Sequence, residues 1–329
     1  MTTPPLPHNP ERLRGRLPLP RVRRMSDART VTFYLHDALR RRAEAGEHNF
    51  IARVVEVLQD AGLKIAFDAD DDAAELRSLA RPGYGIFHMR PPIGPRQLVM
   101  RLTYLFPFWR IEKSAERWEW PVAQERFDPA SVDAGEAEEF AARWGRKLFE
   151  HGPERAKRNG FIYVPLQGRL REQRSFQTMA PLEMLRLTCE RAEGREVVAT
   201  LHPKEHYSTD TLADLDALRA TFPHLDVRRG EMERHLRTCD FVVTQNSSAG
   251  FMGYFFGKPL VLFGKADFHH IALKVEDLGA EAALARAPLH RPEHAAYLYW
   301  FLQLRAINAG RPEASERIRL TLRGHGWPV

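Results

Sequence analysis

Five short apolar stretches in the second half of the chain each run into polar residues able to bind phosphate. After Phe161–Leu166 stand Gln167, Gly168, Arg169, Arg171, Gln173, Arg174 and Ser175. Glu196–Leu201 leads into His202-Pro203-Lys204-Glu205-His206, and Leu225–Val227 into Arg228, Arg229, Gly230 and Glu231. Phe241–Val243 is followed by Thr244-Gln245-Asn246-Ser247-Ser248, and Leu260–Phe263 by Gly264, Lys265, Asp267, His269 and His270. Cations, imidazoles and hydroxyls in one place suit a phosphate-bearing ligand. Pro203 fixes the chain direction and offers no competing N–H, which leaves the His202 ring for a phosphate or a ribose. Ser247 and Ser248 can cap the following helix, whose free N–H groups and positive end favour an anion. A lone histidine or a single capped turn is more often structural. Five such loops, with His202 beside Lys204 and opposite the serines, favour ligand binding.

The loops converge only if the apolar stretches are parallel strands. Helical segments separate them: Ala180–Arg191, opened by Pro181; Thr209–Thr221, with Leu212, Leu215 and Leu218 on one face; and Met232–Arg237. Repeated strand–helix units of this size make a parallel sheet covered on both faces, with ligands beyond the carboxyl ends of its strands. After Ser248 the helix contains Gly250 and Gly253, each costing roughly 1 kcal/mol relative to Ala. That cost predicts close approach of a neighbour or a ligand. Gly257 suits the helix end, and Pro259 blocks its continuation.

The first half repeats the alternation. Val31–Leu35 is a strand ending at His36-Asp37. Asn49–Ala61 is amphipathic, with Phe50, Val54, Val57, Leu58 and Ala61 on one face. Leu63–Phe67 and Tyr84–His88 are further strands. Asp68, Asp70, Asp71 and Asp72 read as a solvated loop capping a helix over Ala73–Ala80 rather than as a metal site. Leu98–Trp120 carries Tyr104, Phe106, Phe108, Trp109, Trp118 and Trp120 among interleaved Arg and Glu. Its balanced charge favours a packed irregular subdomain over a base-stacking surface. Gly135–Glu150 is a helix with Phe140, Trp144 and Leu148 on one face, and Glu293–Ile307 is a last helix carrying Tyr297, Trp300, Phe301 and Leu304. The polar, punctuated run from Gly152-Pro153 to Asn159-Gly160 marks a domain boundary. The expected division is a basic arm over 1–29, an α/β domain over 30–155, a second over 156–290, and a crossing helix and tail over 291–329.

A chain of 329 residues with 43% apolar content is long enough for two such domains with cores of their own. Its net charge of +6 owes much to Arg12, Arg14, Arg16, Arg21, Arg23 and Arg24, interleaved with prolines. This arm lacks the apolar core of a secretory signal. It suits contact with anionic lipid, though a solvated tail is the simpler reading. No run approaches the ~20 apolar residues of a membrane span. Cys189 and Cys239 form no CxxC pair and no metal spacing, and read as buried thiols. The expectation is a cytoplasmic protein, at most peripheral to an inner membrane, with no metal and no bound cofactor.

Val164-Pro165-Leu166-Gln167, Leu201-His202-Pro203-Lys204, Thr244-Gln245-Asn246-Ser247-Ser248 and Gly257-Lys258-Pro259 carry a resemblance in their order and spacing. Over roughly residues 160–270 the chain resembles the capsule polysaccharide biosynthesis family. These are bacterial Kdo-transferase-like glycosyltransferases of GT-B type, related to sialyltransferases that use CMP-sugars. The resemblance implies an α/β fold of two Rossmann-like domains, GT-B-like. It implies a nucleotide sugar as donor, Kdo or a related acidic sugar, and a surface-polysaccharide saccharide as acceptor. It assigns nucleotide and phosphate binding to His202, Pro203, Ser247 and Ser248, and the strand-end reading adds Lys204, Gln167, Gln245, Asn246, Arg169 and Arg174 to the donor site. No metal is needed at the phosphate when the leaving group is a nucleoside monophosphate. Gly168-Arg169-Leu170-Arg171 departs from the acidic-serine turn common in the family at that point. The general base is unassigned; His36, Asp37 and His88, at strand ends of the first half, are its candidates. Two other readings stand beside this one. A non-catalytic sugar-nucleotide or polysaccharide binder would keep the fold without the base. A nucleic-acid-binding protein would use the arm and the aromatic segment with a steep salt dependence, and nucleic acid is not the expected partner.

Overall fold

A computed structural model of the chain describes residues 27–329; Arg12 to Arg24 of the basic arm lie outside the described residues. The strands are β1 (Thr30–Leu35), β2 (Lys64–Ala69), β3 (Tyr84–His88), β4 (Gln97–Leu102), β5 (Phe108–Glu112), β6 (Phe161–Pro165), β7 (Glu196–Leu201), β8 (Leu225–Arg229), β9 (Phe241–Thr244), β10 (Leu260–Leu262), β11 (Leu273–Lys274) and β12 (Ile307–Asn308). They form two six-stranded sheets, β12-β5-β4-β3-β1-β2 and β11-β10-β9-β6-β7-β8.

Every pairing in the second sheet is parallel. Its strands β6, β7, β9 and β10 are short, apolar runs buried on both faces, as a sheet sandwiched between helices requires. Its order places the first strand, β6, between β7 and β9, so the chain reverses its winding at β6–β9. Such a reversal opens a crevice at the carboxyl ends of the two strands. In the first sheet β2, β1, β3 and β4 are parallel, and β5 and β12 are antiparallel neighbours at one edge. Its winding reverses between β1 and β3, where His36 and His88 stand.

The aromatic segment is more regular than its sequence suggests. Strands β4 and β5 occupy Leu98–Glu112, where an irregular subdomain was expected. Arg101 and Arg110 lie directly opposite one another and Glu112 faces Val99, so charged residues occupy positions that in most strands read as apolar. Arg110 and Glu112 are nevertheless buried. Trp109 and Trp120 pack internally, as expected of the segment, and Trp109 stacks on Phe50 at 4.8 Å. Trp118 is only half-buried and rests on Phe176 across the molecule, centroids 5.2 Å apart.

The expected helix over Glu293–Ile307 is broken up. An α-helical turn covers His294–Leu298, a π-helical stretch Tyr299–Leu304, and Ile307-Asn308 then pairs with Trp109-Phe108 as β12. A further helix, Ala314–Gly324, returns to pack on Asn49–Asp60. Its Ile318 and Leu322 join Val54, Leu58 and Ile111 in the core of the first sheet. A separate core underlies β6, β7 and β9. The largest cluster lies between the halves and joins Phe108, Trp120 and Phe140 to Phe251, Tyr254 and Phe301.

Two features of the Ser247 turn are structural. A Cβ on Gly250 would come within 3.0 Å of Leu260 Cδ1 and 3.1 Å of Thr244 Cγ2, so the neighbour that approaches this helix is the sheet. Lys258 is buried, and its ammonium donates to the carbonyls of Lys157 and Cys239. The acidic run that begins near the end of β2, at Asp68, is held by arginines: Asp68 pairs with Arg77 and Arg81, Asp70 with Arg90, and Asp71 with Arg77. Cys189 and Cys239 are free, buried thiols, and burial pushes both up to about 12. Among the described residues no helix is long and apolar enough to cross a membrane.

Candidate functional site

The loops after β4 and β10, each at the carboxyl end of its strand, meet each other. Tyr104, in the loop after β4, reaches across and donates its hydroxyl to Asp267, in the loop after β10. Arg117 Nη1 lies 3.7 Å from the other oxygen of Asp267, and its guanidinium sits over the Tyr104 ring at 4.5 Å. Asp267 is fully buried, and burial pushes its carboxyl above the usual range.

On the second-sheet wall, β6 lies between β7 and β9, so the His202 loop and the Ser247 turn flank the Gln167 loop. His202 is exposed; its N–H donates to the Tyr207 hydroxyl, and its Nδ1 accepts from the Lys204 N–H at 3.3 Å. That bond orients the ring and leaves Nε2 for another partner. Pro203 and Lys204 are exposed too. Ser247 is the cap, its hydroxyl accepting from the Ala249 N–H at 3.3 Å, while Ser248 is the first helical residue and exposed. The helix runs only over Ser248–Gly253 before a 3₁₀ turn, so its dipole adds little and side chains must supply most of any anion binding. Asn246 Nδ2 donates to the Lys265 carbonyl and Gln245 Nε2 to that of Met179.

Polar atoms without partners lie along the strand ends of the second sheet. Gln167 Oε1, Arg174 Nε and Nη2, Gln177 Nε2, Gln245 Oε1 and His269 Nδ1 are buried with no hydrogen bond. Gln167, Arg174 and Gln245 follow β6 and β9, while Gln177 and His269 line a neighbouring cavity; buried polar groups are nearly always paired, so these unpaired ones are candidate ligand contacts. Arg174 also lies over the Phe176 ring at 4.7 Å. Arg169 is turned to solvent at φ 57° and pairs with Glu172. Arg228 and Arg229 belong to β8 rather than to the loop after it.

On the first-sheet wall, the His36 and His88 rings lie 5.9 Å apart. His36 is exposed and caps its helix through Nδ1, leaving Nε2 free. Burial, with His36 beside it, pushes the His88 imidazole down to about 4, so it is neutral near pH 7. Asp37 is exposed and pairs with Arg40 in the first turn of the same helix, so it has a partner of its own. Among the described residues no group of three or more His, Cys, Asp or Glu is placed to hold a metal. Sequence reasoning passed over Gln177 and Arg117. A glutamine carries no sequence signal, and only its unpartnered Nε2 singles it out.

These features define a mixed α/β protein of two parallel-rich sheets. No family model matches the chain, and no curated protein matches it significantly. Among solved structures it is similar to the beta Kdo 2,7 transferase of Thermosulfurimonas dismutans KpsC, at 13% identity over 89% of this chain and 99% of that one, with a TM-score of 0.48. It is also similar to the beta Kdo 2,4 transferase of the same protein, at 11% identity over 83% and 90%, with a TM-score of 0.44. The wall teichoic acid polymerase TagF is similar at 10% identity over 91% and 89%, with a TM-score of 0.29.

Proposed function

We propose that this chain is a GT-B-like glycosyltransferase that moves a sugar from a CMP-sugar, Kdo or a related acidic sugar, to a surface-polysaccharide acceptor. Its two halves would act as acceptor-side and donor-side domains meeting near residues 152–160. The observation that carries the reading is the set of unpartnered buried atoms on Gln167, Arg174 and Gln245 at the β6–β9 crevice, between His202 and Ser247. In the transfer, an acceptor hydroxyl oxygen bonds to the anomeric carbon, the bond from that carbon to the phosphate oxygen breaks, and the hydroxyl proton passes to a base. Negative charge grows on the leaving phosphate, where hydrogen bonds strengthen as the transition state is reached. His202 Nε2, the Lys204 ammonium, Arg174 and the Ser247 turn supply them. His36 is the better placed base, because its Nε2 is free and exposed. His88, desolvated beside it, is itself neutral near pH 7.

Calorimetry with CMP on the full chain and on His202→Ala tests the donor site. Loss of one charge-assisted bond should weaken binding by about 1.5–3 kcal/mol, roughly ten- to a hundredfold. No binding of CMP to the unsubstituted chain at millimolar concentration would sink the donor reading. Unchanged affinity in His202→Ala with the fold intact would remove His202 from the site.

A non-catalytic binder of the same ligand is the second reading. Arg169 and Arg171 pair with Glu172, Asp210 and Asp214, which takes two of the cations after β6 out of the phosphate set. CMP binding without turnover on any acceptor would favour it.

A further inference from the structure

Beside the phosphate crevice lies a cavity of about 630 Å³, between the Trp118–Gln124 segment and the ends of β10 and β11. Two hydrogen bonds tie it to the Ser247 turn: Gly264 N–H to the Gln245 carbonyl, and Asn246 Nδ2 to the Lys265 carbonyl. Its chemistry differs from that of the crevice. Lys265 and Lys274 are matched by Glu119 and Glu276 in the same lining, and Lys265 lies 3.8 Å from Glu276. A balanced lining gives a phosphate little to complement. What it offers instead is an aromatic platform and fixed, neutral polar groups.

Trp118 provides the platform. It packs on Phe176, stays half-buried and lines the cavity. Gln177 provides a donor. It is 5% exposed, and its Oε1 accepts from the Arg174 N–H at 2.8 Å, which settles the amide orientation and leaves Nε2 unpartnered. His269 provides the second polar group, with Nδ1 unpartnered. Burial pushes its imidazole down to about 3, so the ring is neutral and is a donor or an acceptor according to its tautomer.

We propose that this cavity is a saccharide subsite, in which a pyranose ring lies against Trp118 and its hydroxyls bond to Gln177 Nε2 and His269 Nδ1. Pyranose C–H groups pack on an aromatic face, and hydroxyls both donate and accept, which suits a neutral mixed lining. The inference rests on the proposed transferase only for its biological meaning; the binding itself is independent of the donor site.

Saturation-transfer NMR on the full chain, with glucose, N-acetylglucosamine and glucuronate at millimolar concentration, is the test. The expected result is transfer to at least one of them. It should fall about tenfold in affinity in Trp118→Ala and within about threefold in Trp118→Phe, which keeps an aromatic face. His269→Gln should weaken the same saccharide. A CMP-sugar that displaces it places the donor's sugar in the cavity, and a saccharide that stays bound beside the CMP-sugar is the acceptor; either supports the subsite. Absence of transfer from all three, or equal affinity in Trp118→Ala, overturns it. CMP binding without saccharide binding removes the subsite and leaves the donor reading standing. Saccharide binding without CMP does the reverse.

Discussion

The Tyr104 hydroxyl donates to the carboxylate of Asp267, joining the loop after β4 to the loop after β10. Tyr104 holds a φ of 62°, a conformation that side-chain-bearing residues adopt at a cost of roughly 1–2 kcal/mol. Its ring is stacked on Phe251 at 4.9 Å and roofed by Arg117. Tyr104→Phe keeps the stack and leaves a fully buried carboxylate oxygen without its donor. We expect a loss of about 1–3 kcal/mol in urea unfolding. A loss within a few tenths would mean that Arg117 alone satisfies Asp267.

Glu112 should make stability depend on pH. Burial outweighs the nearby Arg110 guanidinium and pushes its carboxyl from 4.5 up to about 7. The folded state therefore binds this proton more tightly than the unfolded chain does. The resulting stability is present in full below about pH 4.5 and is lost as pH rises through about 7, about 3 kcal/mol in all. Unfolding midpoints of Glu112→Gln should lose that part of the slope between pH 5 and 7. A slope equal to that of the unsubstituted chain would place the titration elsewhere.

His88 titrates in the opposite sense. Its pKa is lowered to about 4 from 6.5, so its contribution to stability is present above 6.5 and is lost as pH falls through about 4. Nitrogen-15 NMR of the imidazoles should show His88 neutral at pH 6. An inflection near 6.5 would mean that the ring is solvated.

Gly250→Ala should destabilise despite the better helix propensity of alanine. The added methyl meets Leu260 and Thr244 at about the limit of contact, and overpacking of this kind costs about 1–3 kcal/mol. Thermal unfolding checks it. A stabilised variant would mean that the helix can move off the sheet at no cost.

The parts of this molecule that could be read from its sequence are those whose side chains repeat. Strands β1, β3, β6, β7, β9 and β10 are apolar runs bounded by turns, and the polar groups after them could be placed on one sheet edge from the alternation alone. The reading failed where burial and polarity part company. Arg101, Arg110 and Glu112 lie on strands and broke the apolar signal that would have marked β4 and β5. The two-residue β12 is too short to leave a pattern, and it divides what looked like one helix. At the site, His202 and Ser247 were found by type and position. Gln177 and the pairing of Tyr104 with Asp267 depend on contacts between the halves, which no local spacing encodes.

The pairing of Ile307-Asn308 with Trp109-Phe108 has a consequence for the order in which the protein is made. Strands β1 to β5 leave the ribosome early, yet β5 keeps an unpaired edge and helix Asn49–Asp60 an uncovered flank until β12 and Ala314–Gly324 emerge. The second sheet draws all its strands from Phe161–Lys274, so all of them are synthesised before the first sheet's last strand, β12. The half synthesised first is thus the half completed last. Throughout that interval the nascent chain carries a bare strand edge, the surface by which neighbouring chains on one message pair with each other instead of with themselves.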